Sequence, residues 1–428
     1  MITDRYENPI STESKAAADF YISGLDQLLA GGANITESFE AAINADPDFV
    51  LAYCGLARVQ QVTGNPVDAR VTMDKANEVA SKSGGLSARE SAHVQAMTLL
   101  TSGKVGPGYQ LIREHLAAYP RDAMLAQTCT SVFGLIGFSG RPGREAELLA
   151  YTESLLPHYG DDWWFLCQHA FSLCETGQLD RAAAMIDKSL AINPGSAHGA
   201  HIRAHVYYEQ GDITDGADYL DQWMPGYEKR AYLHCHLSWH IALWALEQGK
   251  SQKLWETVNN SVMPGGAWGP PLNVLTDAAA ILYRAELAGE AVPAGHWKTL
   301  SDYSTQYFPV PGLAFADVHA AISHAMAGQS EPLQHIISDA KGPAGDVVRT
   351  LANGFASIAN QEWALACDHL VKGMSDHARI GGSRAQRDLL EYALASALLK
   401  QGKTAHAKML LNLRRPTQAA ACPIAGFA

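Results

Sequence analysis

Apolar residues recur at spacings of three and four along almost the whole chain, and stretches that alternate apolar with polar are nearly absent. That is the periodicity of helices with at least one buried face, and not of strands. The helical runs are punctuated at regular intervals. Pro120, Pro157 and Pro194 follow one another 37 residues apart, and Gly177, Gly211 and Gly249 stand 34 and 38 residues apart. Each glycine is placed to end a helix in the left-handed conformation, and each proline marks a boundary where the next helix begins. A period of 34 to 38 residues with two helices per unit predicts an all-α superhelix, a helical-hairpin solenoid that forms one domain over residues 1–428.

The unit from Asp161 to Pro194 is the clearest. Its first run is Asp162-Trp-Trp-Phe-Leu-Cys-Gln-His-Ala-Phe171, a turn falls at Thr176-Gly-Gln178, and the second run carries Ala182, Ile186 and Leu190. An aromatic in the first helix and small residues where the helices cross make this resemble a tetratricopeptide unit. Asp46–Ala80 and the stretch from Gly382 through Lys403 read the same way. The stretch Met263-Pro-Gly-Gly-Ala-Trp-Gly-Pro-Pro271 reads as a rigid loop inserted between repeats, because helical periodicity resumes at Asp277. Residues 1–160 are expected to form N-terminal repeats that are mainly structural, and residues 161–415 the repeats that line a functional cavity. The small apolar tail, 416–428, is expected to fold back over the last helix.

Composition narrows the partners. The chain has 428 residues, 47% of them apolar, and a formal net charge of −12. This describes a folded protein and argues against a nucleic-acid or anionic-membrane surface as partner. Seven scattered cysteines without a CxxC argue against a disulfide framework and for a reducing compartment. The N-terminus has no basic-then-apolar leader and no run reaches membrane-spanning length, so a cytoplasmic location is expected.

Candidate chemistry gathers in the second half. His201 with His205, and His236 with His240, are pairs at i, i+4, which places each pair on one helical face. Three readings of these pairs are open: ligands for a divalent ion such as zinc, a metal-free proton relay, or imidazoles packed and hydrogen-bonded to neighbouring helices. Counting back from Gly211 and Gly249 sets His201 level with His240. On that register these two form the closest cross-helix pair and only two or three imidazoles reach one ion, with water or a carboxylate completing the shell. Asp277 or Asp317 could orient one imidazole, and Asp317 stands beside His319. Ser383 is a natural helix N-cap, with Arg379, Arg384 and Arg387 around it, so this segment is a candidate anion site. Asp277, Arg284 and Asp388 are further candidate ligand-binding residues; the alternative is that the arginines of the segment pair with Asp277, Asp317 or Asp388 and brace adjacent repeats.

The block Arg379-Ile-Gly-Gly-Ser-Arg-Ala-Gln-Arg-Asp388 resembles an Arg-Ile-Gly-Gly-Ser-His-Ala-Gln-Arg-Asp block of the tetratricopeptide repeat protein 38 family. His201-x-x-x-His205 ahead of Gln210-Gly211, His236-x-Ser238-Trp239-His240, Asp277-Ala278 before Arg284, and Asp317-Val-His319-Ala320 are similar to further blocks of that family. The resemblance runs from about His169 to the C-terminus and implies an all-helical repeat fold of the cytosolic kind. The chain departs from the family at Ser238, Arg384 and Ala316, where the family has tryptophan, histidine and asparagine.

The first expectation for function is therefore a pocket inside the superhelix that binds a small acidic or polar molecule, with a hydrolase- or lyase-type reaction as the candidate chemistry. The competing expectation is a scaffold that holds a peptide or partner protein in its concave groove.

Overall fold

The computed structural model describes residues 2–82, 85–414 and 424–426, and among these it is all helical. The N-terminal helices are α1 (Lys15–Ala30), α2 (Ile35–Ala45), α3 (Val50–Val62), α4 (Pro66–Lys82), α5 (Ala88–Thr101), α6 (Val105–Ala118), α7 (Ala123–Gln127) and α8 (Arg144–Tyr159). Regular hairpins follow: α9 (Trp163–Glu175) with α10 (Leu179–Ile192), α11 (Ala197–Gln210) with α12 (Ile213–Trp223), and α13 (His234–Glu247) with α14 (Ser251–Thr257). The last four are α15 (Pro271–Ala288) with α16 (His296–Tyr307), α17 (Ala314–Met326) with α18 (Ser330–Asp339), α19 (Gly345–Ala359) with α20 (Trp363–Met374), and α21 (Arg384–Lys400) with α22 (Thr404–Arg414). The chain is a tetratricopeptide-like solenoid of helical hairpins.

The two helices of a hairpin differ in how they are buried. In α9 all 13 residues are buried, and in α15 14 of 18 are, because these first helices are packed on every side. In α10 only Ala182, Ile186 and Ser189 are buried, a single stripe at helical spacing, so the second helices form the outer wall. Gly177, Gly211 and Gly249 all take positive φ at the turns between them, as their spacing predicts.

The 37-residue proline period does not describe the unit between Pro120 and Pro157. Pro157 lies in the last turn of α8 and starts no helix. Ahead of α8, residues 128–143 are irregular and largely buried. This segment carries Gly134, Gly137, Gly140, Pro142 and Gly143, which are poor helix residues. A Cβ on Gly134 would meet the Thr130 carbonyl oxygen at 2.2 Å, and one on Gly137 the Val132 carbonyl oxygen at 2.1 Å, so the tight path needs glycine.

That segment closes the superhelix on itself. The buried Arg144 donates to the carbonyls of Gly137, Ala378 and Gly382, and Arg379 Nε donates to Gly140 O. Phe133 and Phe138 reach Phe315 of α17. At the other side, Arg5 pairs with Asp26 and Asp162, and Tyr227 donates to Gly31 O, tying α1 to the middle repeats. The loop 263–270 interrupts the hairpins before α15, and Trp268 O accepts from Cys235 N at the start of α13. Most of the tail lies outside the described residues; Ile424 is buried and Ala425 N–H donates to Leu287 O at the end of α15.

Candidate functional site

Helix α11 is started by Ser196, whose hydroxyl accepts from Gly199 N, and stopped by the left-handed Gly211. Helix α13 ends near Gly249 in the same way. Between these ends the two i, i+4 histidine pairs face each other. His201 Nε2 lies 2.8 Å from His205 Nε2 and 2.9 Å from His236 Nε2. His240 completes the group: its ring centroid is 4.7 Å from that of His205 and 5.2 Å from that of His236. Each of the four offers a ring nitrogen, and these nitrogens all lie within 4.8 Å of one another.

The expected register is therefore corrected. The closest cross-helix pairs are His201 with His236 and His205 with His240, both at 4.7 Å, whereas His201 and His240 are 5.4 Å apart. The terminal glycines are not level, because α13 continues about one turn further past the histidines than α11 does. That stagger sets the two pairs side by side and brings together four imidazoles, more than the two or three expected.

The group is deeply buried; His205 and His240 have no exposed surface. His236 Nδ1 lies 2.9 Å from both oxygens of the fully buried Asp277, so its N–H is donated to the carboxylate and its Nε2 lone pair faces His201. Trp239 stacks on the His236 ring. His201, His205 and His240 are held well below the ordinary imidazole value of 6.5, first by burial and then by neighbouring imidazoles. These three rings are neutral bases at neutral pH. Neither nitrogen of His240 has a hydrogen-bond partner, nor does His205 Nδ1.

These depressed values have a consequence for stability. Above about pH 6.5 folded and unfolded histidines are both neutral; below it the unfolded chain takes up protons that the folded cluster refuses, costing about 1.4 kcal/mol per pH unit per shifted histidine. Glu175, Glu247 and Asp317 are pushed up to about 7 by burial and act in the opposite direction. The histidine contribution is therefore read as a difference. In chelator-treated protein, the double variant His205→Leu, His240→Leu should lose stability less steeply than wild type on acidification below pH 6.5, measured by urea unfolding. Parallel pH profiles would contradict the neutral cluster.

His201, His205 and His236 also line a cavity of about 430 Å³. Its walls include Phe133 and Phe138 from segment 128–143, Gln168 and Phe171 from α9, and Asn273 from α15. Arg58 and Gln61 of α3 line it as well, so the lining is not confined to residues 161–415. The exposed lining residues Gly64, Pro66 and Tyr307 mark its mouth. Arg58 was legible in principle: it is the single charged residue in the apolar run of α3.

The other candidates fall elsewhere. Asp317 accepts from Gly312 N, and His319 Nδ1 donates to Phe315 O, so Asp317 does not orient His319. Burial pushes the His319 imidazole down to about 4. Arg284 donates to Tyr208 OH and to Ala385 O, and Tyr208 donates to Asp388, an internal brace between α11, α15 and α21. Ser383 caps α21 through a reciprocal capping box with Gln386.

The segment from Arg379 to Arg387 does not present an empty anion site. The Arg384 backbone N–H donates to Glu175, the Arg384 side chain pairs with Glu209, and Arg387 pairs with Glu145. Arg379 pairs with Asp346 and Asp376. Protein carboxylates distant in sequence have taken the place expected for a ligand. Ser238, a departure from the resembled family, donates its hydroxyl to His234 O within α13.

No protein-family model matches the chain. Along nearly its whole length it is similar to solved helical-repeat structures. It is 14% identical to human IFIT1 in a dimer with m7Gppp-AAAA, with a TM-score of 0.46, covering 96% of this chain and 89% of that chain. It is 13% identical to yeast Tom70, with a TM-score of 0.34 and coverage of 95% and 85%. It is 10% identical to a chain of the APC/C hetero-tetramer Cut9–Hcn1, with a TM-score of 0.36 and coverage of 95% and 87%. These are likenesses of architecture, and the site is argued from its own residues. Among the described residues no helix is long and apolar enough to cross a membrane.

Proposed function

We propose that this protein is a small-molecule-binding metalloprotein. The observation that carries the reading is the convergence of four ring nitrogens from α11 and α13 within 4.8 Å. Imidazole nitrogens without thiolate or carboxylate suit a borderline divalent transition ion such as zinc. Asp277 behind His236 is the outer carboxylate that metal-bound histidines commonly use to fix ring orientation and raise basicity. A single proton can bridge only some of these nitrogens, whereas one cation can engage them all.

The ion would stand at the cavity wall, since His201, His205 and His236 line the cavity. A cavity of about 430 Å³ falls in the ordinary range for small-molecule sites, roughly 300–1,000 Å³. Such a centre would supply a Lewis acid and, where a coordination position on the cavity side is left to water beside the imidazoles, an activated water at neutral pH, chemistry that suits hydrolysis or a lyase-type elimination or hydration. The competing reading is a scaffold for a peptide or partner protein. What favours a small molecule is that segment 128–143 lines the cavity and packs Phe133 and Phe138 on Phe315 of α17, within the space that an open solenoid would offer to an extended chain.

The test is the Asp277→Asn variant, assayed by competitive zinc titration against a chromophoric chelator. Affinity should fall by about 10–100-fold while the helical circular dichroism is retained. Unchanged affinity in a folded variant would remove Asp277 from the site and with it the metal reading of His236.

A further inference from the structure

Among the described residues the buried arginines are all matched, and the partly buried Arg58 is not. Arg89 is paired with Asp122, Arg387 with Glu145, Arg284 with Tyr208 and the Ala385 carbonyl, and Arg144 with three carbonyls. Arg58 donates from Nε to Gln127 Oε1 at 2.9 Å, and among the described residues no carboxylate lies within ion-pair distance of it. Its guanidinium lines the same cavity as the histidines, and no aspartate or glutamate lines that cavity. Burial lowers its pKa, but only to about 10, so it stays charged at neutral pH. A partly buried guanidinium that faces a largely apolar cavity without a carboxylate beside it favours an anionic occupant. With Nε occupied by Gln127, the terminal amino groups of the fork remain to meet an anion, and that geometry suits a carboxylate.

We infer that the cavity takes a small organic monocarboxylate with an apolar body, and that Arg58 binds its carboxylate. The apolar body is argued from the walls, where Val132, Phe133, Phe138, Phe171, Ile202 and Leu313 contribute. A ligand anchored at Arg58 presents its remaining groups to the wall lined by His201, His205 and His236. This places the anion site on α3, in the first third of the chain, and not at Arg379, Arg384 and Arg387. The assignment rests on the cavity reading above but not on the presence of metal.

The experiment is isothermal titration calorimetry with butanoate, hexanoate, octanoate and phenylacetate, each beside its primary amide. Wild-type protein should bind at least one acid about tenfold or more tightly than its amide, the difference expected for one charge-assisted pair. Arg58→Gln should abolish that preference, Arg58→Lys should keep part of it, and the zinc content of Arg58→Gln should equal that of wild type. The assignment is overturned if wild type binds none of the acids, if acid and amide bind alike, or if folded Arg58→Gln binds as wild type does. The acid–amide comparison in wild type stands even where a variant fails to fold. Acid preference lost in Arg58→Gln, in a wild type that takes up no zinc, would keep this assignment and remove the metal centre.

Discussion

The double variant His201→Ala, His236→Ala should melt at one temperature with or without added zinc, while wild type gains stability when zinc is added. At free zinc about one hundred times its dissociation constant, the wild-type gain is about 2.7 kcal/mol, because an ion that binds the folded chain alone stabilises it by mass action. The variant loses the ring that contacts both His205 and His236, and the ring that Asp277 orients. The two remaining imidazoles cannot hold the ion at comparable strength. Differential scanning fluorimetry at fixed pH measures the shift directly. A zinc-dependent shift of wild-type size in the variant would mean that zinc binds elsewhere. The metal-free variant should also lose stability of its own, because His236→Ala takes from the fully buried Asp277 the ring N–H that it accepts.

The largest loss of stability is expected away from the cavity. Asp122, 3% exposed at the N-cap of α7, is the shared partner of three buried groups through one oxygen: Arg89 Nη1 at 2.8 Å, His93 Nδ1 at 3.0 Å and His115 Nε2 at 3.1 Å. Burial works to raise its pKa, but His93, His115 and Arg89 overcome this and hold the carboxyl well below its ordinary 3.8. Its contribution is therefore complete above the unfolded carboxyl's range and is lost as the pH falls through the lower folded value. Asp122→Ala would leave the Arg89 charge buried without its carboxylate partner, its hydrogen bond to the Pro9 carbonyl remaining. The expected cost is about 3–5 kcal/mol, read from urea unfolding at neutral pH. A loss below about 1 kcal/mol would mean that solvent reaches Arg89 and relieves it.

The hairpin period was legible because Gly177, Gly211 and Gly249 mark turns that depend on local backbone conformation alone. Segment 128–143 was not, because its path is held by Arg144 and Arg379 reaching residues far along the chain. The histidine pairs could be read from i, i+4 spacing, but the level at which α11 meets α13 is a tertiary property, and counting from the terminal glycines gave the wrong partner. The anion site at Arg379–Arg387 was plausible only while Glu145, Glu175 and Glu209 were out of view. Arg58 carried the converse signal: a lone charge in an apolar helix whose meaning depends on the carboxylate that is not beside it.

The central claim is that α11 and α13 together build a metal centre. The most direct measurement is elemental analysis of protein purified without a polyhistidine tag, equilibrated with zinc and freed of unbound metal by gel filtration. One zinc ion per chain, absent from the His201→Ala, His236→Ala variant treated in parallel, is the result predicted. A wild-type chain that emerges with no stoichiometric zinc would contradict the account and leave the four histidines as packing residues.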